Sequence, residues 1–421
     1  MNLLFVNTKG NRGGIVNLSV ILMRVLAPRE VSSWHVFSNR KADVFNLHLP
    51  IQNVPISFGF DYNPLTILKL VVLIKRHRID FVVVNIAKEI IFGGIAARLC
   101  GVKCIRLIGN GLDFEKHSLL ARKLVDINIF PSRYSLDDAM LKFPFTQNLR
   151  NTVVYCGIED RQVSPADKEA EYKRLGLGQK DFIIGYTGRV VRDKGVHVLL
   201  QAFARVCEAL PNTVLVINGQ GSYMQALKGL VANLQMESRV RLLGFAPDCL
   251  IAASIYDIAV MPSFFYVFPN TLIEYMSLGK PIISTAVGGI PEALTDGQNA
   301  LLVKVDNADD LAVKLVILAE DEQLRNMLGN AAKQRYNDNY TASAMAEAFL
   351  DSIKEIKRRI FCLSAAIFLP REEWVFSASA SFANTFPVWA TSHLCLPHRH
   401  GLYAGIEMRV CWPSCQPIWS R

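Results

Sequence analysis

The stretch from Asp257 to Glu292 carries residues whose types and spacing could do chemistry. Pro269 suits the first position of a helix, and Asn270 suits the cap if the helix begins one residue later. In either case the N–H groups at Phe268 to Thr271 lie at the positive end of a helix dipole, which attracts an anion such as a phosphate. Glu274, about one turn inside, could accept hydrogen bonds from hydroxyl groups. The stretch therefore predicts a phosphate site beside a carboxylate that binds hydroxyls.

Short elements on either side must position these residues. The apolar run Ile258 to Met261 stops at Pro262, as expected of a buried parallel strand that opens into a loop. Ligands bind outside the carboxyl ends of such strands. Gly279 and Pro281 end the helix, and a strand and a second glycine-rich turn, Gly288-Gly289, follow it.

This run resembles the donor-site signature of the retaining, GT-B-fold glycosyltransferases of family 4. Their pattern joins a Pro-Ser, two glutamates separated by seven residues, a Gly-x-Pro and a Gly-Gly-x-x-Glu. The positions that match in order and spacing are Pro262-Ser263, Glu274, Gly279-Lys280-Pro281 and Gly288-Gly289-Ile290-Pro291-Glu292. The resemblance implies an α/β fold of the GT-B type, in which two Rossmann-like domains face each other across a cleft. It is strongest over residues 180–358.

Tyr266 occupies the position of the first glutamate and departs from this signature. The resemblance implies that the first glutamate contacts the transferred sugar and that the second, Glu274 here, binds the nucleotide ribose. A phenol can donate and accept a hydrogen bond but cannot supply the charge of a carboxylate. We therefore expect an altered sugar preference or weaker catalysis, with loss of activity as an alternative.

An arginine and a lysine follow the first predicted strand of the C-terminal domain. Strand Phe182 to Tyr186 leads to Arg189, and Lys194-Gly195 precedes a helix. In the resembled family a pair at this spacing holds the donor diphosphate. Cleavage of the C–O bond leaves negative charge on the diphosphate, and two cations in a closed cleft lower that barrier. No Asp-x-Asp motif stands out, so we expect no metal and no cofactor besides the nucleotide-sugar substrate.

The resemblance implies further site residues. Gly13-Gly14 would let the backbone approach the donor diphosphate, although such a pair on its own also suits a plain turn. Asn110 stands where the family commonly carries a histidine close to the reacting sugar. Asparagine can hydrogen-bond but cannot exchange a proton, so we assign no general base, although His117 a few residues downstream could compensate. Phe245 is expected to contact the nucleotide base, with core packing as the alternative.

The 421 residues, 51% of them hydrophobic, suffice for two cores. The resemblance implies an N-terminal, acceptor-side Rossmann-like domain at 1–160 and a nucleotide-sugar-binding Rossmann-like domain at 181–359. The highly charged stretch at 161–180 is the expected linker between them. Residues 360–421 hold four of the five tryptophans and four of the nine cysteines, and Ser, Asn and Pro interrupt every candidate helix. We expect a disordered or non-native tail there. Its Cys and His spacing fits no standard zinc site.

Much of the net charge of +9 lies in the first 160 residues, which hold 20 Lys or Arg against 12 Asp or Glu. Such a field favours anionic acceptors or a peripheral contact with an anionic membrane. Lys75, Arg76 and Arg78 end a predicted apolar helix and could touch that surface, although cations also suit the end of a helix that simply packs on a sheet. No nucleic-acid module appears, so we expect no nucleic-acid partner.

The N-terminus reads as a first strand rather than a signal peptide, and no stretch reaches the roughly 18 apolar residues of a membrane span. Scattered cysteines suit a reducing compartment. We therefore expect a cytoplasmic protein, with peripheral contact at the inner face of the membrane as an option. The expected function is retaining transfer of a sugar from a nucleotide-diphosphate donor to a glycan or lipid-linked acceptor in surface polysaccharide biosynthesis. Two alternatives remain open: a nucleotide-sugar epimerase, and a catalytically silent module that binds nucleotide sugars.

Overall fold

Two lobes of parallel β-sheet flanked by helices make up the computed structural model. The structure describes residues 1–8, 14–29, 31–37, 52–58, 63–109, 119–178, 180–245 and 248–354. Met1–Glu355 form one compact unit that contains both lobes. The tail predicted from residue 360 onward lies outside the described residues.

The N-terminal lobe is built on a sheet that has seven strands in the described ranges, in the order β3-β2-β1-β4-β5-β6-β7. The strands are β1 (Asn2–Asn7), β2 (Ser32–Phe37), β3 (Gln52–Pro55), β4 (Phe81–Val84), β5 (Lys103–Leu107), β6 (Ile127–Phe130) and β7 (Asn151–Val153). All neighbours are parallel. Strand β4 is apolar and buried along its whole length, as is typical of a parallel sheet covered on both faces.

The described helices of this lobe are α1 (Gly14–Leu26), α2 (Pro64–Arg76), α3 (Ala87–Cys100), α4 (Leu119–Leu124) and α5 (Arg133–Lys142). Gly101 caps the C-terminus of α3 with φ 71°, a left-handed conformation that suits glycine. Helix α4 ends at Leu124, and strand β6 begins only three residues later, at Ile127. Periodicity alone does not distinguish a helix end from a strand in so short a stretch.

The C-terminal lobe repeats the plan with six described strands in the order β10-β9-β8-β11-β12-β13. They are β8 (Phe182–Thr187), β9 (Thr213–Asn218), β10 (Val240–Gly244), β11 (Ile258–Met261), β12 (Ile282–Thr285) and β13 (Leu301–Val303). The helices are α6 (Pro165–Leu175), α7 (Val196–Val206), α8 (Met224–Asn233), α9 (Cys249–Ser254), α10 (Asn270–Ser277), α11 (Ile290–Ala293), α12 (Ala308–Glu320) and α13 (Glu322–Asn339). Leu175 of α6, inside the predicted linker, packs in the same core as Ile183.

Strand order reverses beside the first strand of each lobe, between β1 and β4 and between β8 and β11. In open parallel sheets the loops after these strands diverge and leave a crevice that binds ligands. The predicted phosphate-binding residues of the C-terminal lobe follow β8 and β11. The topology therefore brings two segments about 70 residues apart in sequence to one edge of the sheet.

The chain returns to the N-terminal lobe after α13. Ile158 and Thr341 form a parallel bridge, and a helical run at 342–354 begins there. The Gly157 amide donates to the Met345 Sδ atom over 3.3 Å, and Arg29 forms a 3.1 Å ion pair with Glu347. Among the helices in the described ranges, none is long and apolar enough to cross a membrane.

Candidate active site

Two loops meet at the carboxyl edge of the C-terminal sheet. One follows β8 and the other follows β11. The Phe264 amide donates to the Asp193 carbonyl over 2.9 Å, and a Cβ atom at Gly195 would collide with the Pro262 carbonyl. Gly195 also has φ 67°, a left-handed conformation that glycine adopts without strain. Only glycine allows the two loops to come this close.

Lys194 is enclosed by the loop that follows β11. The residue is 3% exposed, and its Nζ donates to the Phe265 carbonyl over 2.9 Å. The same nitrogen lies 3.4 Å from the centroid of the Tyr266 ring, in cation–π contact. Burial lowers the pKa of Lys194 to about 8, with Asp193 acting in the opposite direction and Arg189 adding a small decrease. The ammonium is therefore held by a carbonyl and a ring, and a carboxylate oxygen of the exposed Asp193 side chain lies 4.0 Å away.

Arg189 presents its side chain at the same edge. Its backbone carbonyl accepts a 2.8 Å hydrogen bond from the Tyr186 hydroxyl, which fixes the turn after β8. The side chain is exposed, and the guanidinium forms no hydrogen bond or ion pair with any residue in the described ranges. Arg189 lies near enough to lower the pKa of both Lys194 and Tyr266. Two cations thus stand together at the end of β8, as predicted for Arg189 and Lys194.

Helix α10 begins one residue later than the first of the two predicted starts. Asn270 is its first residue, and Pro269 is the cap, with an extended backbone at φ −87° and ψ 125°. Both alternatives are therefore wrong by one residue. Pro269 is the cap and not the first helical residue, and Asn270 is the first helical residue and not the cap. Proline fits either position because its fixed φ suits extended and helical backbone alike. Thr271 remains in the first turn, as expected.

Glu274 lies within α10 with its carboxylate unpaired. The residue is partly buried, yet the carboxylate makes no hydrogen bond or ion pair with any side chain or backbone group that the structure describes. Burial raises the pKa of Glu274 to about 7, and the negative charge of Asp248 adds to the increase. An acceptor of this kind is suited to hydroxyl donors from a ligand.

Tyr266 contacts Lys194 and lies within electrostatic reach of Arg189 and Glu274. Its ring covers the Lys194 ammonium, and burial raises the pKa of its hydroxyl to about 12. Arg189 opposes that increase and Glu274 reinforces it, so both charges act on the same side chain. The hydroxyl remains protonated at neutral pH. The position that resembles the sugar-binding glutamate therefore carries a neutral ring stacked on a cation.

The Phe268 side chain packs against other aromatic rings. Its ring packs on Tyr155 and Tyr340, with centroids 5.5 and 5.6 Å away, so the backbone is the part of Phe268 that remains for a ligand. The preceding backbone is held by the second glycine-rich turn. The Gly289 amide donates to the Val267 carbonyl over 3.1 Å, and Gly288 has φ 58°. These glycines shape the ligand-side loop, and the Gly289 amide is already used within it.

Glu292 has a role that the sequence did not reveal. Its carboxylate accepts hydrogen bonds from the Arg133 and Tyr134 amides at 2.8 and 2.7 Å, and from the Tyr155 hydroxyl at 2.8 Å. These amides belong to the first turn of α5 in the N-terminal lobe. The Ser132 hydroxyl donates to the Val267 carbonyl over 3.1 Å. Glu292 therefore joins the lobes through a helix N-terminus, beside the loop that carries Tyr266. The signal available in the sequence was the helix start at 131–135, Pro-Ser-Arg-Tyr-Ser, whose first turn contains no acidic residue.

The predicted residues of the N-terminal lobe are only partly described. Gly14 is the first residue of α1, whereas Gly13, Asn110 and His117 lie outside the described residues. On the other lobe Phe245 follows β10 and is 72% exposed, so the alternative of core packing is wrong. An exposed ring is open to a nucleotide base.

A buried carboxylate anchors the carboxyl edge of the N-terminal sheet. Glu89 accepts hydrogen bonds from the Thr8 and Asn85 amides at 2.6 and 2.9 Å. The Asn85 side chain in turn donates to Asn7, over 2.6 Å. Burial raises the pKa of Glu89, and its backbone hydrogen bonds oppose the increase. Glu89 thereby fixes the backbone after β1 and β4, where the strand order reverses.

Comparison with known proteins agrees with this geometry. Residues 167–335 match the family model of the glycosyl transferases group 1. The chain is 25% identical over 288 residues to the UDP-Gal:alpha-D-GlcNAc-diphosphoundecaprenol alpha-1,3-galactosyltransferase of Escherichia coli, a match that covers 65% of this chain and 74% of that protein. It is 26% identical to the capsular polysaccharide biosynthesis glycosyltransferase CapM of Staphylococcus aureus, over 45% of this chain and 50% of CapM.

Solved structures show the same fold. The Anabaena Alr3699/HepE protein in complex with UDP and glucose superposes with a TM-score of 0.70 at 20% identity, over 84% of this chain and 99% of that one. The apo lipopolysaccharide outer core galactosyltransferase WaaB gives a TM-score of 0.64 at 19% identity, over 84% and 99% of the two chains. The predicted α/β class, with two Rossmann-like lobes, is confirmed. The chain is therefore a glycosyltransferase with the GT-B fold, and its residues 167–335 are the part that matches the glycosyl transferases group 1.

Proposed function

We propose that this glycosyltransferase moves a sugar from a nucleotide-diphosphate donor to a glycan or lipid-linked acceptor, with retention at the anomeric carbon. Relatives named for capsule and lipopolysaccharide biosynthesis support a role in surface polysaccharide synthesis. The E. coli relative acts on a diphosphoundecaprenol-linked acceptor, which supports the lipid-linked class.

One observation carries the proposal. Lys194 contacts the Tyr266 ring, and Arg189 and Glu274 lie within electrostatic reach of it. Within the described residues, the ion pair that any of these three charged groups makes is the 4.0 Å one between Lys194 and Asp193. Both cations would neutralise the charge that develops on the leaving diphosphate. Glu274 would accept hydrogen bonds from the ribose hydroxyls. The first turn of α10, from Pro269 to Thr271, would add backbone N–H groups toward a phosphate.

Tyr266 would hold Lys194 in place rather than bind the sugar by charge. A lysine ammonium that pairs with a ring keeps more of its positive charge for a ligand than one that pairs with a carboxylate. The sugar subsite would then lack the carboxylate of the resembled signature. We propose that sugar recognition relies on neutral hydrogen bonds there.

Leaving-group stabilisation by Arg189 and Lys194 also supports a metal-independent reaction. Within the described ranges, no cluster of three His, Cys, Asp or Glu side chains could hold an ion. The proposal is tested by turnover in excess EDTA: activity equal to that in added Mg²⁺ or Mn²⁺ is expected. Complete loss that either ion restores would overturn metal independence.

A panel of nucleotide sugars, with and without a polyprenyl-diphosphate-linked acceptor, tests the whole function. Consumption of donor only when acceptor is present is the expected result, and NMR of the product should show the donor's anomeric configuration. Interconversion of sugars without acceptor would instead identify an epimerase. Nucleotide binding without turnover across the panel would identify a silent module. We further propose that the protein acts in the cytoplasm, peripherally at the inner face of the membrane.

A further inference from the structure

Helix α2 presents two chemically different faces. Thr66, Leu70 and Ile74 are buried, and Leu70 and Ile74 belong to the core of the N-terminal lobe. Asn63 caps the helix, its side chain accepting from the Leu65 amide over 3.0 Å. The inner face therefore anchors α2 firmly against the lobe without help from the outer face.

The outer face of α2 is apolar at its centre. Leu65, Leu68 and Val72 are 64%, 58% and 55% exposed. Their spacing places all three on one stripe of the helix, opposite Leu70 and Ile74. An exposed stripe of large aliphatic side chains is unfavourable in water unless another apolar surface covers it.

Basic residues border this stripe. Lys69 and Arg76 lie along one side of it at helical spacing, and Lys75 lies along the other. All three are exposed, as is Arg78 just beyond the helix. No acidic residue occurs from 62 to 79, so this segment carries four positive charges. An apolar centre with cationic borders is the pattern of a helix that lies in a membrane interface.

We propose that the outer face of α2 is a docking surface for an anionic lipid bilayer, in which Leu65, Leu68 and Val72 enter the acyl boundary while Lys69, Lys75 and Arg76 contact lipid phosphates. The long side chains of lysine and arginine reach the headgroups while their stems cover apolar surface. Each basic residue near an anionic leaflet adds to the attraction. This proposal rests on the proposed function, because an enzyme docked on the bilayer would lie at the surface that holds a lipid-linked acceptor.

A second copy of this chain suits the stripe less well. Two copies that paired through α2 would place like charges opposite each other, which opposes association. Three aliphatic side chains also bury far less than the roughly 1,200 Å² of a specific interface. The excess positive charge instead complements a negatively charged lipid surface.

Sedimentation with vesicles tests the proposal on the full-length chain. Binding to vesicles of phosphatidylglycerol and phosphatidylcholine, but not of phosphatidylcholine alone, is expected, and it should weaken as salt is raised. The variant K69Q/K75Q/R76Q should bind about a hundredfold more weakly. The variant L65S/L68S/V72S, whose charge is unchanged, should bind these vesicles about tenfold more weakly or worse.

A matched control changes three exposed aliphatic residues elsewhere, as L141S/V313S/M327S. This control should bind vesicles like the unmodified protein. Equal vesicle binding by all variants would overturn the proposal, as would a dimer in light scattering that the α2 variants convert to monomer. UDP affinity, measured by calorimetry, should be the same in every variant. Vesicle binding without any nucleotide binding would refute the proposed function but would still support the α2 face as a membrane-docking surface.

Discussion

Glu274→Gln should stabilise the unliganded protein while it weakens nucleotide binding. Burial without a partner raises the pKa of the carboxyl from 4.5 to about 7. Because a tenfold change in acidity corresponds to about 1.4 kcal/mol, the ionised carboxylate destabilises the folded state by up to roughly 3 kcal/mol. Glutamine keeps the shape and carries no charge.

The effect on stability depends on pH in a defined direction. The folded-state pKa of Glu274 is raised, so its favourable contribution is complete below pH 4.5 and is lost as pH rises through about 7. Glutamine does not titrate, so the variant and the unmodified protein should be equally stable near pH 4.5. At pH 8 the variant should gain up to roughly 3 kcal/mol, which corresponds to a rise in Tm of about 3 to 6 °C.

Thermal unfolding at pH 4.5, 6 and 8, together with UDP binding at pH 8, measures both parts. Loss of a charged acceptor for the ribose hydroxyls should weaken UDP about tenfold to a hundredfold. Glu237→Gln is the matched control, because Glu237 is exposed and should change neither quantity. The reasoning about burial would be refuted if the variant showed no Tm gain at pH 8, or if it showed the same gain at pH 4.5. Unchanged UDP affinity would refute the role in binding.

Three further predictions concern the rest of the site. Arg189→Ala should lower kcat by about two to three powers of ten with unchanged Tm, and unchanged turnover would reject leaving-group stabilisation. Activity should fall as pH rises through about 8, where Lys194 loses its proton. Tyr266→Phe should retain that profile, whereas Tyr266→Glu should move the fall to higher pH, since a carboxylate favours the ammonium; an unmoved profile would count against the contact. Glu292→Ala should lower the free energy of unfolding, measured in urea, by about 1–3 kcal/mol, because three donors lose their acceptor. The control Glu237→Ala should leave it unchanged.

Much of the C-terminal lobe could be predicted from sequence because local chemistry determines it. The run Ile258 to Met261 is a buried parallel strand, and Gly279, with φ 63°, ends α10 as predicted. Arg189 and Lys194 follow β8 as their spacing indicated. The predicted start of α10 was wrong by one residue, because the fixed φ of Pro269 suits a cap and a first helical position equally.

The partners of the site residues could not be predicted in the same way. The cation–π contact between Lys194 and Tyr266 joins residues on two different loops. Glu292 receives its donors from a helix start more than 150 residues earlier in the chain. Such contacts depend on how the elements pack together, and no periodicity or turn signal in one sequence records that. The same limit hid the apolar stripe of α2, whose exposure depends on what covers the helix.

A crystal structure of the protein with bound UDP tests the central claim most directly. The nitrogens of Arg189 and Lys194 should lie within hydrogen-bond distance of diphosphate oxygens, about 2.7–3.2 Å, and the Glu274 carboxylate should accept from the ribose hydroxyls. UDP seated at this edge of the sheet with all three side chains turned away from it would contradict the claim.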